Sequence, residues 1–176
     1  MRLLFSIDTK DYDPNGRAFV RPSARSIIIR GQKIAMVHSQ KYDYYKFPGG
    51  GIEQDGHKED ALIRETLEEA GLVVRPDTIR EYGYVHRVQR CERDDADYFV
   101  QDNYYYICDT EETLTEQKLD DYESEENFTL EFVSPHHAIQ VNRTEAHGPK
   151  DPRMLEREAK VLELLIQEGY FKNIPC

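Results

Sequence analysis

Apolar and polar positions alternate along much of the chain in short runs that predict strands. Residues 2–7 suit a short strand, followed by a turn-rich stretch in which Asp13-Pro14-Asn15-Gly16 is the clearest signal. Residues 25–30 and 33–38 are apolar or β-branched runs separated by Gly31-Gln32, a two-residue hairpin with glycine first. Residues 78–88 and 97–108 read as two further strands around a charged loop at 90–95. Tyr104, Tyr105 and Tyr106 put rings on both faces of the second. Residues 109–126 read as a polar, acidic connection, 128–133 as a strand and 142–150 as irregular. Ser134-Pro135 and Asp151-Pro152 each start a helix, with a capping side chain and proline at the first position. In the last helix Leu155, Ala159, Leu162 and Ile166 form the buried stripe, and Gly169 stops it.

Helical periodicity is clearest over residues 58–70. At roughly 100° per residue, Leu62, Ile63, Thr66, Leu67 and Ala70 fall on one side and Arg64, Glu65, Glu68 and Glu69 on the other. Asp55 or His57 can cap the first turn, Glu59 and Asp60 suit the positive end of the dipole, and Gly71 supplies a left-handed stop. Like charges at this spacing repel, and a divalent cation reverses the sign of that interaction. Ahead of the helix, Gly49, Gly50 and Gly51 form a turn whose bare backbone lets carbonyls approach a metal or phosphate. A solvated acidic face would explain a lone E-x-x-E-E. It does not explain the glycine run, the arginine and the terminal glycine together.

The stretch from Phe47 to Leu72 resembles the Nudix box, G-x5-E-x7-R-E-U-x-E-E-x-G-U, where U is a bulky aliphatic residue. Gly50 takes the first position, Arg64-Glu65 the R-E, Glu68-Glu69 the E-E, and Gly71-Leu72 the end. Thr66 fills the first U, and Gly56 stands in the first glutamate slot, with Glu53, Asp55 or Glu59 nearby as substitutes. The resemblance implies an α/β fold: one domain over residues 1–176, a Nudix-type α/β/α sandwich with a mixed sheet. The element order alone suits α+β equally well. The resemblance also implies hydrolysis of a pyrophosphate bond in a nucleoside diphosphate derivative. Glu65, Glu68, Glu69 and the Gly50 carbonyl would hold Mg²⁺, for which Mn²⁺ can substitute, and Arg64 would orient Glu65. Some members use one more glutamate, as ligand or base, in a slot that falls near Glu126, with Glu125 and Glu123 close by.

Arg25, Arg87 and Arg90 are candidates for the substrate phosphates, although an arginine in such a place is more often a surface charge. Tyr42, Tyr44, Tyr45 and Phe47 could close the core or stack on a base. His136-His137 lacks acidic residues at matching spacing and is set aside as a metal site. The 176 residues carry a formal charge of −11, which disfavours nucleic-acid polymers and anionic membranes and demands local cations for a phosphate substrate. No stretch approaches the apolar length needed to cross a membrane. Three scattered cysteines, Cys91, Cys108 and Cys176, suit reduced thiols in a cytoplasm. Val88 stands where ADP-ribose hydrolases tend to carry proline, and Arg90 near the tyrosine slot of dinucleoside polyphosphate hydrolases. The coenzyme A motif is absent. These features lean toward a nucleoside triphosphate or another small nucleotide. Family members often pair, so a homodimer is compatible, although a single core accounts for the apolar faces. The alternative reading is a nucleotide-sensing or protein-binding module with little turnover, motivated by Gly56.

Overall fold

The computed structural model describes residues 1–144 and 146–171. In chain order the strands of the first part are β1 (Leu3–Asp8), β2 (Ala18–Val20), β3 (Ser23–Ile27), β4 (Ile29–Arg30), β5 (Lys33–Ser39), β6 (Tyr44–Lys46) and β7 (Gly49–Gly51). Helix α1 (Lys58–Ala70) leads to β8 (Leu72–Val74), a 3₁₀ turn at Pro76–Thr78, and the long pair β9 (Arg80–Arg90) and β10 (Tyr98–Ile107). Then come β11 (Thr110–Leu114), α2 (Asp121–Glu125), β12 (Phe128–Val133), α3 (Pro135–Thr144) and α4 (Pro152–Gln167).

The main sheet is mixed, in the order β1-β9-β10-β3-β7, with β2 beside the outer part of β10. β9 and β10 are antiparallel from Tyr98↔Arg90 to Ile107↔Arg80, whereas β10 runs parallel to β3 and β1 parallel to β9. β4, β5, β6 and β12 form a second sheet, and β8 pairs with β11. The hairpin at Gly31-Gln32 is present: Arg30 faces Lys33, and Gly31 takes a φ of 62°.

Helices cover both faces of the main sheet. Ala61 and Leu62 of α1 pack with Ala24 and Tyr106. On the opposite face Ala138, Val161, Leu162 and Leu165 of α3 and α4 meet Ile27, Val85 and Tyr105. Alternation along the strands sends Tyr105 to one face and Tyr104 and Tyr106 to the other. Each large apolar side chain buried this way contributes about 1.5–3 kcal/mol. Thr66, in the aliphatic slot of the box motif, is fully buried, and its hydroxyl bonds the buried Ser26 Oγ at 3.0 Å.

Several expectations need correction. The glycine run is a strand, because its backbone pairs with β3 as Ser23↔Gly51, Ala24↔Gly50 and Arg25↔Gly49. The connection at 109–126 contains β11, which completes a ladder with β8, and the short helix α2. Helix α3 continues to Thr144 into the stretch read as irregular. In α4, Leu155, Ala159 and Leu162 are buried as expected, but Leu165 takes the core place assigned to Ile166. Cys91 and Cys108 are free thiols, and Cys176 lies outside the described residues. Among the described residues no helix is long and apolar enough to cross a membrane.

Two charged residues of α4 are buried, Arg157 and Glu158. Glu158 is fully buried, accepts the Phe47 N–H at 2.8 Å, and is paired with the equally buried Arg157 at 2.5 Å. Burial opposes its ionisation, but Arg157, Arg25 and the Phe47 N–H hold its carboxyl below the ordinary range. Glu158→Ala leaves a buried guanidinium and a backbone N–H without their partner. The expected loss of stability is about 3–5 kcal/mol, read from urea unfolding.

Candidate active site

The site grows from the contact between the glycine strand and the first helix. A Cβ at Gly49 would lie 2.1 Å from the Ala24 carbonyl oxygen, and its φ is 141°. A Cβ at Gly50 would lie 2.0 Å from Glu65 Oε2. Only bare backbone lets β7 sit between β3 and the Glu65 carboxylate. Helix α1 is aimed by its ends: His57 is the N-cap residue without a side-chain bond, and Gly71 stops the helix at φ 65°. Asp55, not Gly56, takes the left-handed conformation in the preceding loop, with φ 63°.

A cleft of ≈ 370 Å³ opens beside β7. Its lining carries the carboxylates of Glu65, Glu69, Asp120 and Glu123 and the cations of Lys46, Arg21, Arg25, Arg87 and Arg157. Arg64 binds Glu65 Oε1 at 2.7 Å and Glu68 Oε2 at 3.2 Å. Burial raises the Glu65 carboxyl, and Arg64 opposes that rise. Glu69, expected on a solvent-facing rim, is only 2% exposed. Its Oε1 receives Lys46 Nζ at 2.6 Å and its Oε2 the Gly49 N–H at 3.1 Å. Burial pushes its carboxyl up to about 7 against the pull of Lys46 and Arg25. Glu123 accepts the Asp120 N–H and the Tyr122 hydroxyl, both at 2.9 Å. Burial opposes its ionisation, while the Asp120 N–H, Glu69 and Tyr122 hold it below the ordinary range.

Of the phosphate candidates, two reach the cleft. Arg25 donates to the carbonyls of Phe47 and Gly49 at 3.2 and 3.3 Å, and its buried Nε has no partner. Arg87 is paired with Asp151 and Gln89, and burial and the charge of Arg157 lower it to about 10. Arg90 is exposed at the end of β9 and does not line the cleft. Glu126 is also misplaced. It is buried away from the cleft, accepting from Ser39 Oγ at 3.0 Å and Tyr44 OH at 2.7 Å and paired with Lys150. The carboxylate that α2 brings to the cleft is Glu123, three residues earlier.

The donor chemistry fits a hard divalent cation, since Glu65, Glu69, Glu123 and the β7 carbonyls offer only oxygen. The expected convergence of Glu65, Glu68 and Glu69 does not hold: Arg64 occupies Glu65 and Glu68 together, and Lys46 holds the buried Glu69 apart. Among the described residues no three Asp, Glu, His or Cys side chains meet at one point.

Sequence reasoning missed Lys46, Arg21 and Arg157. Arg157 had a signal. Its partner Glu158 falls at i+3 from Leu155 and i−4 from Leu162, so a carboxylate on that stripe needs a buried cation beside it. Lys46 sits one position from each of Tyr45 and Phe47 in a short aromatic run, and no spacing marks its partner.

An acid-bearing helix, a glycine strand and a cation-lined cleft define a site for phosphate chemistry under a mixed sheet flanked by helices. A model of the NUDIX domain matches residues 20–157. The chain belongs to the Nudix hydrolase family. It is 34% identical over 68 residues to diphosphoinositol polyphosphate phosphohydrolases 3-alpha and 3-beta of Mus musculus, covering 36% of this chain and 40% of each relative. The match thus spans well under half the length of those curated relatives. Among solved structures, it is similar to a NUDIX hydrolase from Nitrosomonas europaea, with TM-score 0.58, 15% identity and 89% and 93% of the two chains covered. It is also similar to the E. coli ORF135 protein, with TM-score 0.51, 22% identity and 85% and 93% covered. At these identities the two structures share the fold.

The placement of Glu126 gives a direct expectation. Glu126→Ala strips Lys150 and Tyr44 of their buried partner and lowers stability by about 2–3 kcal/mol in thermal or urea unfolding. Turnover per folded molecule is expected to stay unchanged.

Proposed function

We propose that the chain is a Mg²⁺-dependent pyrophosphohydrolase acting on a small nucleotide, a nucleoside triphosphate or another nucleoside diphosphate derivative, with Mn²⁺ able to substitute. One observation carries this reading: box carboxylates and a set of arginines share one cleft in a protein of formal charge −11. Elsewhere such a surface repels a polyphosphate. Here Arg21 and Arg25 bring guanidinium groups to its oxygens, and the buried, acid-paired Arg87 and Arg157 add positive charge behind them.

Glu65, with the Gly50 carbonyl, and Glu69 would hold the metal, and Arg64 keeps Glu65 in place. Glu68 joins only by leaving Arg64. When bound, the ion supplies neutralisation of phosphate oxygens and a more acidic water. Glu123 takes the slot of the additional glutamate in place of Glu126. It stands ionised among hydrogen-bond donors, as a ligand or as acceptor of the water's proton.

The crowding of arginines favours a second substrate class, a more heavily phosphorylated ring of the kind named in the mouse relatives. A panel with Mg²⁺ containing nucleoside triphosphates, dinucleotides and a diphosphorylated inositol polyphosphate, scored for phosphate and pyrophosphate release, separates the two. Release from none of them defeats the hydrolase reading and leaves a binding module. Glu65→Gln and Glu123→Gln are each expected to lower kcat by about 10²–10⁴-fold with an unchanged far-UV spectrum. Full activity in both would remove these carboxylates from the mechanism.

Gly56 bears on rate. Its φ is not left-handed, and a Cβ there meets the Glu53 carbonyl at 3.0 Å, a contact that a small loop shift relieves. Gly56→Glu is therefore expected to fold and to raise kcat or lower the Mg²⁺ concentration for half-maximal rate.

A further inference from the structure

We infer that Lys46 is a positioning residue of the metal site, a resident ammonium that competes with the divalent cation for the Glu69 carboxylate and so sets how much metal the enzyme needs. This rests on the metal-dependent reading above.

Lys46 ends β6, two residues before the Pro48-Gly49 step into the glycine strand, and only 7% of it is exposed. Its Nζ lies 2.6 Å from Glu69 Oε1 and 4.6 Å from the centre of the Phe128 ring. The other Glu69 oxygen is taken by the Gly49 N–H at 3.1 Å, so both oxygens are engaged. The Glu69 backbone is fastened as well, since Gln117 Nε2 donates to its carbonyl. A carboxylate has about four acceptor positions, so a metal reaching Glu69 would have to share it with Lys46 and the Gly49 N–H or displace them.

The competition follows from electrostatics. Two cations on one carboxylate repel each other strongly where water is scarce. A divalent ion can take Glu69 only if Lys46 moves off. The cleft gives it a second anion, because Glu123 also feels the charge of Lys46. The chain thus satisfies one carboxylate of the box from within, at the expense of metal affinity. It also avoids the cost of a buried, unpaired Glu69 when no ion is bound.

The test is Mn²⁺ binding followed by calorimetry and by the loss of the free-ion electron paramagnetic resonance signal, with no substrate present. Lys46→Met is expected to bind Mn²⁺ about tenfold or more tightly than wild type. Its melting temperature should also rise further on adding Mn²⁺. Lys46→Arg, which keeps the charge, is expected to return affinity to the wild-type range. In Lys46→Met/Glu69→Gln the gain should vanish. Should Lys46→Met not fold, Lys46→Gln reads the same comparison. Equal or weaker binding in the neutral variant, with wild type binding Mn²⁺, overturns the competition and leaves the metal-dependent reading standing. Binding in neither protein overturns both.

Discussion

Everything at the site hangs on two missing side chains. Gly49 and Gly50 bring backbone to within contact of the Ala24 carbonyl on one side and the Glu65 carboxylate on the other, where any Cβ would collide. That close approach lets β7 close the edge of the main sheet while the acidic face of α1 leans on it. It also points the Gly49 N–H at Glu69 and the Phe47 N–H at Glu158. A short stretch of chain thereby organises carboxylates from both helical layers.

The cleft solves a charge problem that the rest of the surface creates. A chain of formal charge −11 repels anions at a distance, so recognition depends on cations concentrated in a confined space. Confinement has its own strain. Arg87 loses part of its basicity to burial and to the guanidinium of Arg157. The arginines are held together by acids behind them: Asp151 for Arg87 and Glu158 for Arg157. Beside them, Arg25 Nε is buried without a protein partner.

Much of this was legible in the residues. The helix from Lys58 to Ala70, its glycine stop, the Gly31 hairpin, the β9–β10 pair and β12 all follow from period, turn chemistry and caps. What escaped has a common physical cause. β7 has no side chains to alternate, so only its pairing with β3 reveals it as a strand. Glu126 and Glu123 belong to the same acidic run. They differ only in which face of a short helix meets Ser39 and Tyr44 and which meets the cleft. Glu69 looked like its neighbours Glu65 and Glu68 on a helical wheel, but its partner Lys46 comes from a strand 23 residues earlier. Partners distant in sequence decide which acids face water, and a single chain read in order does not display them.

The bond between the Phe47 amide and Glu158 spans 111 residues. It ties the link between β6 and β7, where the box opens, to the last long helix of the described chain. As the protein is synthesised, the glycine strand and the acidic helix leave the ribosome well before α4. Until α4 arrives, the Phe47 amide lacks its acceptor and Arg157 is missing from the cleft lining. The lining of the cleft is therefore complete only once a late segment closes back on an early one, and the box motif alone does not supply it.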